Sequence, residues 1–207
     1  HQHGRHIERY LSKYYSPNTH LTGEALGLYY LGTQLPFMNR ARHWRKLGED
    51  ILLSEATRQI HPDGIYFEQS TWYQRYTVDF YSHFLTLRSL QKVQSYDKRM
   101  ADVDSRYAIA LEAMMYFTRP EGTMPMIGDD DGGRALPLAF DKPNDHRGSL
   151  ALGSAITGNR ELKYMAGVGV NEIFWLLGKA GVDYYRGLEE VEPELPSRAF
   201  RDGGYMV

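Results

Sequence analysis

The residues that point most clearly to chemistry lie between positions 63 and 76, in the segment Asp-Gly-Ile-Tyr-Phe-Glu-Gln-Ser-Thr-Trp-Tyr-Gln-Arg-Tyr. An Asp-Gly turn opens the segment, and Ser70 is a suitable N-cap for a helix whose apolar residues then recur at helical spacing. Tyr73 would lie in the first turn of that helix, where free backbone N–H groups create a positive field. Because such a field favours the phenolate, we predict that the pKa of Tyr73 is lowered.

Three ionisable side chains of this segment, those of Glu68, Tyr73 and Arg75, are predicted to share one concave end of a helical domain. The alternative is that the aromatic residues around them are ordinary core, since burial is the usual role of such rings. The choice between the two depends on what the preceding part of the chain brings to the same place.

A second candidate group stands near the start of an earlier helix. Ser16 and Pro17 predict that start, with Ser as N-cap and Pro at the first helical position. Asn18 would then present its amide to a ligand at the helix end, where the dipole favours an anion. Glu24 follows His20 by four residues and would orient its imidazole. The alternative is an Asn that helps to cap the helix and a His that lies on the surface.

Three consecutive acids, Asp129–Asp131, lie between glycines, and Arg134 follows them. Oxygen ligands of this kind can bind Ca²⁺, but the segment lacks the alternation and the closing Glu of an EF-hand loop. A solvated loop with Asp caps is one alternative. Our prediction is a loop that lines a cleft, with Asp129 and Arg134 contacting substrate and no metal bound.

Several other site classes have no support in the sequence, which contains no Gly-rich phosphate loop, no nucleophile elbow and no paired metal-binding histidines. The absence of Cys excludes disulfides and thiolate metal sites. A carboxylate pair for glycoside hydrolysis stays open, since Glu68 could act with Asp63 or Asp129. Nothing in the spacing of these acids selects that pair.

Composition limits the partners. A formal net charge of −2 over 207 residues argues against a nucleic-acid-binding face, although a local pocket can still be basic. No apolar run approaches the roughly 18 residues that a transmembrane helix needs, so no membrane span is expected. The 16 Tyr and 3 Trp residues suit stacking on flat ligands such as sugar rings, although many of them must fill the core.

The elements that must position these residues are mostly helices. Apolar residues at helical spacing predict helices at about 5–15, 17–32, 38–60, 70–93, 99–118, 146–157 and 160–179. An irregular segment rich in Gly, Pro and Asp runs from Arg119 to Asp145, and loops of this length are usually functional. Short connections and one apolar face per helix favour an all-α fold, namely an incomplete α/α toroid of antiparallel helical hairpins. No repeat of fixed period indicates a solenoid.

The two ends of the sequence indicate a fragment. The chain starts at His1 without Met or an apolar leader, and its last residues predict a turn followed by a strand. We therefore expect residues 1–195 to form part of the toroid, and residues 196–207 to be a linker and the first strand of a further domain.

Six segments together carry a resemblance to a known family. They are Ser16 to Ala25, Leu35 to Phe37, Ala41 to Trp44, Gln59 to Gly64 with Glu68 to Tyr73, Pro125 to Arg134, and Phe200 to Val207. In this order they resemble the heparinase II/III-like polysaccharide lyases, which include the heparin and heparan sulfate lyases and the alginate and oligoalginate lyases. The resemblance extends from about residue 16 to the end of the chain.

This resemblance implies an α/α toroid followed by a β-sandwich, and β-elimination at a uronic acid residue. It assigns neutralisation of the uronate carboxylate to Asn18, a supporting or basic role to His20, and the catalytic Tyr to Tyr73, with Tyr76 as the alternate. The family often has Asn and His adjacent, whereas Thr19 separates them here. A further catalytic His of the family comes from the β-sandwich.

Elimination is chemically consistent with these residue types. Removing the proton next to a uronate carboxylate adds charge to an anion, and an amide or cation on that carboxylate offsets the charge. A phenol can take this proton and return one to the leaving glycosidic oxygen. We therefore predict a polysaccharide lyase in which Tyr73, Asn18 and His20 are catalytic. The predicted substrate contacts or supports are Glu68, Arg75, Tyr76, Asp129 and Arg134.

The partners expected from this interpretation are an anionic polysaccharide or oligosaccharide and the β-sandwich domain, with no nucleic acid, no membrane and no cofactor. A metal in the β-sandwich stays open, and the resemblance implies a periplasmic or secreted location. Two alternative functions are a glycoside hydrolase on the same toroid and a non-catalytic glycan-binding module.

Overall fold

Eight helices and one small β-hairpin make up the regular structure of the described residues, which in this computed structural model are 1–15, 17–91, 97–135, 142–167 and 169–207. The helices are α1 (Gln2–Arg9), α2 (Thr19–Gln34), α3 (Ala41–Gln59), α4 (Thr71–Leu90), α5 (Arg99–Phe117), α6 (Arg147–Thr157), α7 (Arg160–Ala166) and α8 (Asn171–Gly187). Strands β1 (Ala199–Phe200) and β2 (Tyr205–Met206) pair antiparallel. The predicted all-α fold with a strand at its C-terminal end is confirmed.

Helices α2 and α3 form the most extensive helix pair in the described residues. A Cβ atom on Gly32 would lie 2.4 Å from the carbonyl oxygen of Ala41, and one on Gly48 would lie 2.4 Å from that of Ala25. The contact points run in opposite directions along the two helices, so the hairpin is antiparallel. Because no side chain fits at either point, the two glycines allow the backbones to touch.

Helix α4 lies at the centre of the array and packs against α2, α5, α6 and α8. The predicted apolar face of this helix is confirmed, since Phe80, Phe84 and Leu87 are buried. Tyr73 and Tyr76, nearer its N-terminal end, are only half-buried. The core therefore holds α4 along its length and leaves these two tyrosine side chains partly exposed.

The first helix is shorter than predicted and ends at Arg9 instead of residue 15. Tyr14 and Tyr15 are 94% and 100% exposed, so their side chains contribute no packing that would stabilise further helical turns. The chain is held instead by Ser12, whose N–H and hydroxyl each donate to the Glu24 carboxylate at 2.7 Å.

The predicted single helix at 160–179 is wrong. Asn159 caps a short helix α7, and Gly167, with φ of +67°, ends it. The left-handed conformation suits Gly because it has no Cβ. Helix α8 begins at Asn171, is broken by non-helical backbone at Gly178, and extends to Gly187, beyond the predicted end at residue 179.

The other boundaries follow the prediction more closely. The predicted start of α2 at Pro17 is displaced, because the first helical residue is Thr19; Ser16, the predicted N-cap, lies outside the described residues. Within the irregular segment, residues 119–135 and 142–145 contain no helix or strand, and the remaining part, 136–141, is outside the described residues. The boundary predicted at residue 195 stays a prediction. No helix in the described ranges is long and apolar enough to span a bilayer.

Candidate active site

Asn18 is the N-cap of α2, and both ends of its amide are engaged. Its Oδ1 accepts from the backbone N–H of His20 at 3.1 Å and lies 2.9 Å from Nδ1 of the same ring, while its Nδ2 donates to Oε1 of Glu68 at 2.7 Å. Because an amide oxygen only accepts, Nδ1 of His20 must carry a proton, which leaves Nε2 facing away as the free nitrogen. The predicted orientation of His20 by Glu24 is wrong, because Glu24 binds Ser12.

Two buried polar residues, Thr22 and Gln59, fix the backbone at this point. Gln59 Nε2 donates to the carbonyl oxygens of Pro17 at 2.9 Å and Asn18 at 3.2 Å. The hydroxyl of Thr22 lies 2.7 Å from Gln59 Oε1 and 3.1 Å from the Asn18 carbonyl oxygen. We did not predict this support from the sequence; the available signal was a Gln in the last turn of α3, just before the Pro62-Asp63-Gly64 turn.

Glu68 connects Asn18 to the loop that precedes α4. Its second oxygen, Oε2, accepts from the hydroxyl of Tyr66 at 3.0 Å, and the ring of Tyr66 is buried. Burial and the Glu68 carboxylate raise the pKa of Tyr66 far above its ordinary value, so this phenol stays a proton donor. With both oxygens occupied, Glu68 holds the site together, which is one of the two roles predicted for it.

Gln74, on the buried side of α4, holds the same loop from behind. Its Oε1 accepts from the backbone N–H of Tyr66 at 2.6 Å, and its Nε2 donates to the carbonyl oxygen of Gly64 at 2.8 Å and that of Ala110 at 3.2 Å. A Gln inside an apolar helical face is the sequence signal for such a role.

Tyr73 lies in the first turn of α4, as predicted. Ser70 caps the helix, because its Oγ accepts from the backbone N–H of Tyr73 at 3.1 Å. The predicted lowering of the phenol pKa is wrong. Partial burial raises the pKa of Tyr73, and the negative charges of Asp129–Asp131 and Glu68 raise it further. Burial and the nearby carboxylates therefore both favour the protonated phenol.

These carboxylates lie near Tyr73 because the loop of residues 127–134, which we call the acidic loop, packs on the first turn of α4. Three donors from that turn bind carbonyl oxygens of the loop, which lies some sixty residues further along the chain. The contacts are Ser70 Oγ to Asp129 at 2.6 Å, the Thr71 N–H to Ile127 at 3.0 Å, and Trp72 Nε1 to Gly133 at 2.7 Å. The predicted meeting of the two segments is thus present in the structure.

The acids of the loop are arranged as local turns. Asp130 accepts from the N–H of Gly132 at 2.7 Å, and Asp131 accepts from the N–H of Gly133 at 2.9 Å. All three aspartates are exposed. Nowhere in the described part of the chain do three His, Asp or Glu side chains converge as metal ligands.

Tyr76 lies one turn beyond Tyr73 and also faces the acidic loop. Its ring centroid is 4.7 Å from that of Phe80, and a Cβ on Gly133 would lie 3.1 Å from its hydroxyl oxygen. Burial, Asp131 and Asp79 raise the pKa of Tyr76. Two phenols with raised pKa values therefore stand side by side at this end of α4.

Arg75 does not share the concave end as predicted, because its side chain points into the packing between α4 and α6. Its Nε lies 3.3 Å from Ser149 Oγ and 3.3 Å from Asp79 Oδ2, and its guanidinium carbon is 5.8 Å from the ring centroid of Trp72. The residue is 6% exposed. A charge at this position on α4 must face α6, so the structure gives Arg75 a packing role.

Arg134 is half-buried at the end of the acidic loop, where its Nη2 donates to the carbonyl oxygen of Lys142 at 2.9 Å. Its predicted contact with substrate stays a prediction.

The buried ring of His146 packs edge-on against Trp72, with the ring centroids 5.9 Å apart. Burial, together with the positive charges of Arg75 and Arg134, lowers the pKa of His146 to about 3. We did not single out His146 from the sequence, because it stands alone in a polar segment.

Asp63, one of the two partners considered for Glu68 in hydrolysis, is engaged by backbone N–H groups, and Asp129 stays the other candidate. Asp63 accepts from the backbone N–H groups of Ile65 at 3.3 Å, Asp202 at 2.7 Å and Gly203 at 2.9 Å. A carboxylate that is held by three N–H donors serves the turn and is poorly placed to exchange protons with a sugar. Glu68 likewise has both oxygens occupied within the site.

Comparisons with known proteins bear on the family and the fold of this chain. The family model described as Heparinase II/III N-terminus matches residues 1–136. A heparin-sulfate lyase of Bacteroides stercoris is 28% identical over 133 residues, which are 62% of this chain and 19% of that protein. The crystal structure of a heparan sulfate lyase HepC mutant from Pedobacter heparinus superposes with a TM-score of 0.62 and 18% identity, over 97% of this chain and 27% of that one.

The chain therefore spans only a minor part of the length of both relatives. At 18% identity, the structural likeness supports the fold alone. The matched range includes the segments of Asn18, Glu68 and Tyr73 and the acidic loop. Because residues 1–136 are more than half of the 207 residues, the chain belongs to the Heparinase II/III N-terminus family.

Proposed function

We propose that the full-length protein is a polysaccharide lyase that cleaves uronate-containing glycans by β-elimination. The observation that carries this proposal is the hydrogen bond between Asn18 and Glu68, which joins the start of α2 to the loop before α4, next to Tyr73. The names of the relatives favour a sulfated glycan of the heparin and heparan sulfate class over alginate as the substrate.

Asn18 is suited to neutralise the uronate carboxylate. Its Nδ2 carries two protons, and Glu68 accepts only one of them, so the second is available for a substrate oxygen. His20 is exposed beside it and can add a positive charge when its Nε2 is protonated. Donors fixed in advance by Glu68 and Gln59 cost little reorganisation when charge develops on the substrate.

Tyr73 would take the proton next to the carboxylate and return one to the glycosidic oxygen. Because the pKa of Tyr73 is raised, the phenol is protonated in the free protein and is ready as the acid. Its service as the base requires a phenolate, which becomes more abundant as the pH increases. His20 is the alternative base, through its free Nε2, with Tyr73 then serving as the acid alone.

The experiment that tests this assignment replaces Tyr73 by Phe in the full-length protein and measures unsaturated uronate products. Loss of an acid–base group should lower kcat by about 10²- to 10⁴-fold. The matched control is Tyr14→Phe, since Tyr14 is 94% exposed. Both variants should melt at the wild-type temperature. Retained activity in Tyr73→Phe would contradict the assignment and move the role to Tyr76.

Product chemistry separates the proposal from its alternatives. A lyase leaves an unsaturated sugar at the new non-reducing end, and a hydrolase leaves new reducing ends without unsaturation. A glycan-binding module would retain the oligouronate without cleaving it, and Tyr73→Phe would then have no catalytic effect.

A further inference from the structure

The β-hairpin at the C-terminal end is anchored firmly to α5. Phe200 is fully buried, and its ring centroid lies 5.6 Å from that of Tyr116 and 5.8 Å from that of Phe117. Arg198 pairs with Glu112 of α5 at 2.6 Å. The hairpin therefore has its own attachment to the core, independent of the candidate active site.

From this anchorage the hairpin reaches the loop that carries Glu68. The backbone N–H groups of Asp202 and Gly203 both donate to Oδ2 of Asp63, at 2.7 and 2.9 Å. A Cβ on Gly203 would lie 2.3 Å from Cβ of Ile65, so the hairpin turn presses directly on the loop. At the other end of this loop, the hydroxyl of Tyr205 donates to the carbonyl oxygen of Gln69.

Gln69 is the point at which this contact matters most. It has φ of +54°, and no other non-glycine residue of the described chain has a positive φ. This conformation is unfavourable for a residue with a Cβ, so surrounding contacts must maintain it. The N–H of Gln69 donates to the Tyr66 carbonyl oxygen at 2.9 Å, and the Tyr205 hydroxyl holds the other side of the same residue.

The position of Gln69 in the chain connects it to the candidate active site. Glu68, which holds Asn18, precedes it, and Ser70, which caps the helix of Tyr73, follows it. A change of the backbone at Gln69 would therefore move both groups together.

We propose that the hairpin of residues 198–207 is a positioning element for the site, with Asp63 and Tyr205 as positioning residues. They hold the segment from Ile65 to Gln69 in the strained conformation in which Glu68 orients Asn18 and Ser70 orients Tyr73. The kinetic consequence of this proposal rests on the proposed function, whereas its structural consequence does not.

The test combines amide hydrogen exchange with kinetics on the full-length protein. The variants are Tyr205→Phe, which removes only the hydroxyl, and Asp63→Ala, with Asp63→Asn as the conservative variant that keeps one acceptor. Met206→Ala is the control within the hairpin, since Met206 is 81% exposed. Peptides covering residues 64–71 report on the loop, and peptides from α5 report on global stability.

We expect exchange in residues 64–71 to become about ten-fold faster in Tyr205→Phe and Asp63→Ala, with α5 unchanged. Misplacement of positioned groups should lower kcat about ten-fold or more while KM changes less than about two-fold. Asp63→Asn should lie between wild type and Asp63→Ala, and Met206→Ala should match wild type.

Wild-type exchange in residues 64–71 of both Tyr205→Phe and Asp63→Ala would overturn the proposal, as would faster loop exchange with an unchanged kcat in an active lyase. If the wild-type protein eliminates no glycan, the proposed function fails. The exchange result then decides the role of the hairpin by itself.

Discussion

At the scale of single residues, the site depends on side chains whose hydrogen-bond partners fix what they can do. Asn18 caps α2 with its side-chain oxygen and donates one N–H of its amide to Glu68, which leaves the second N–H for a ligand. The raised pKa of Tyr73 comes from burial and from acids that docking brings to it. Chemistry at this site should therefore respond to the charge of the acidic loop as well as to Tyr73 itself.

Replacing Asp131 by Asn should make Tyr73 easier to deprotonate. A neighbouring negative charge disfavours the phenolate, so removing it lowers the pKa of Tyr73. If Tyr73 is the base, the limb of the kcat/KM profile that rises with pH should then move to lower pH. The Asn side chain keeps the oxygen that accepts from Gly133, so the turn should persist. The pH dependence of elimination is the measurement.

The control for this prediction is Asp183→Asn on α8, where Asp183 pairs with Lys179. The control profile should match wild type. An unchanged limb in Asp131→Asn would contradict Tyr73 as the base.

The residue-scale predictions from sequence were correct where the cause is local. Ser70 caps α4 because the cap and the N–H that it binds are three residues apart. The predicted lowering of the Tyr73 pKa was wrong because partial burial and the approach of Asp129–Asp131, which both raise this pKa, depend on tertiary packing. The predicted place of Arg75 at the same concave end as Glu68 and Tyr73 was wrong for the same kind of reason, since α6 covers its side chain.

At the scale of elements, the close contact of α2 with α3 sets the position of Asn18 relative to Gln59. Their backbones touch at Gly48, where an added Cβ would lie 2.4 Å from a carbonyl oxygen of α2. Gly27, on the same helix pair, has only the Ile7 side chain near it, at 3.9 Å. The two glycines therefore differ in the space available for a side chain, although both lie inside helices.

Gly48→Ala should destabilise the protein by about 1–3 kcal/mol, because overpacking against backbone forces the helices apart. Gly27→Ala should stabilise it by about 0.4–1 kcal/mol, because Ala loses less backbone freedom on folding. Thermal unfolding of the full-length variants measures both effects. Equal melting temperatures for the two variants would contradict the described contact.

His146, the N-cap residue of α6, should make stability depend on pH. Its pKa falls to about 3 in the folded chain and is about 6.5 when unfolded, so the unfolded state binds more protons between these values. Stability from this group is therefore present above about pH 6.5 and is lost as the pH falls, by roughly 2 kcal/mol at pH 5.

The variant that checks this is His146→Asn, since Asn can still cap α6. We expect the difference in melting temperature between pH 8 and pH 5 to shrink in this variant. His3→Asn, at an exposed position on α1, should leave that difference unchanged. A difference of wild-type size in His146→Asn would show that other groups cause the acid sensitivity.

Helix periodicity predicted which elements exist, and it was least accurate where glycine or missing packing ends a helix. Gly167 separates α7 from α8, although the apolar spacing continues across it. The segment after α1 was predicted to be helical because of its composition, but exposed Tyr14 and Tyr15 give it nothing to pack against.

At the scale of the whole molecule, the described residues form an antiparallel helical array whose candidate active site is assembled from three distant segments. Asn18, Glu68 and the Asp129–Asp131 loop meet at the first turn of α4. The resemblance to a lyase family implied roles for Asn18 and Tyr73, and the structure shows the contacts that bring their segments and the Asp129–Asp131 loop together. The supports from Gln59, Gln74 and the C-terminal hairpin depend on tertiary packing, and residue pattern alone did not reveal them.

The most direct test of the central claim is ultraviolet absorbance during incubation of the full-length protein with heparin, heparan sulfate, hyaluronan, chondroitin and alginate. We predict a rise from unsaturated uronate with heparin or heparan sulfate, and loss of this rise in Tyr73→Phe. New reducing ends without any rise in absorbance would contradict elimination and identify a hydrolase.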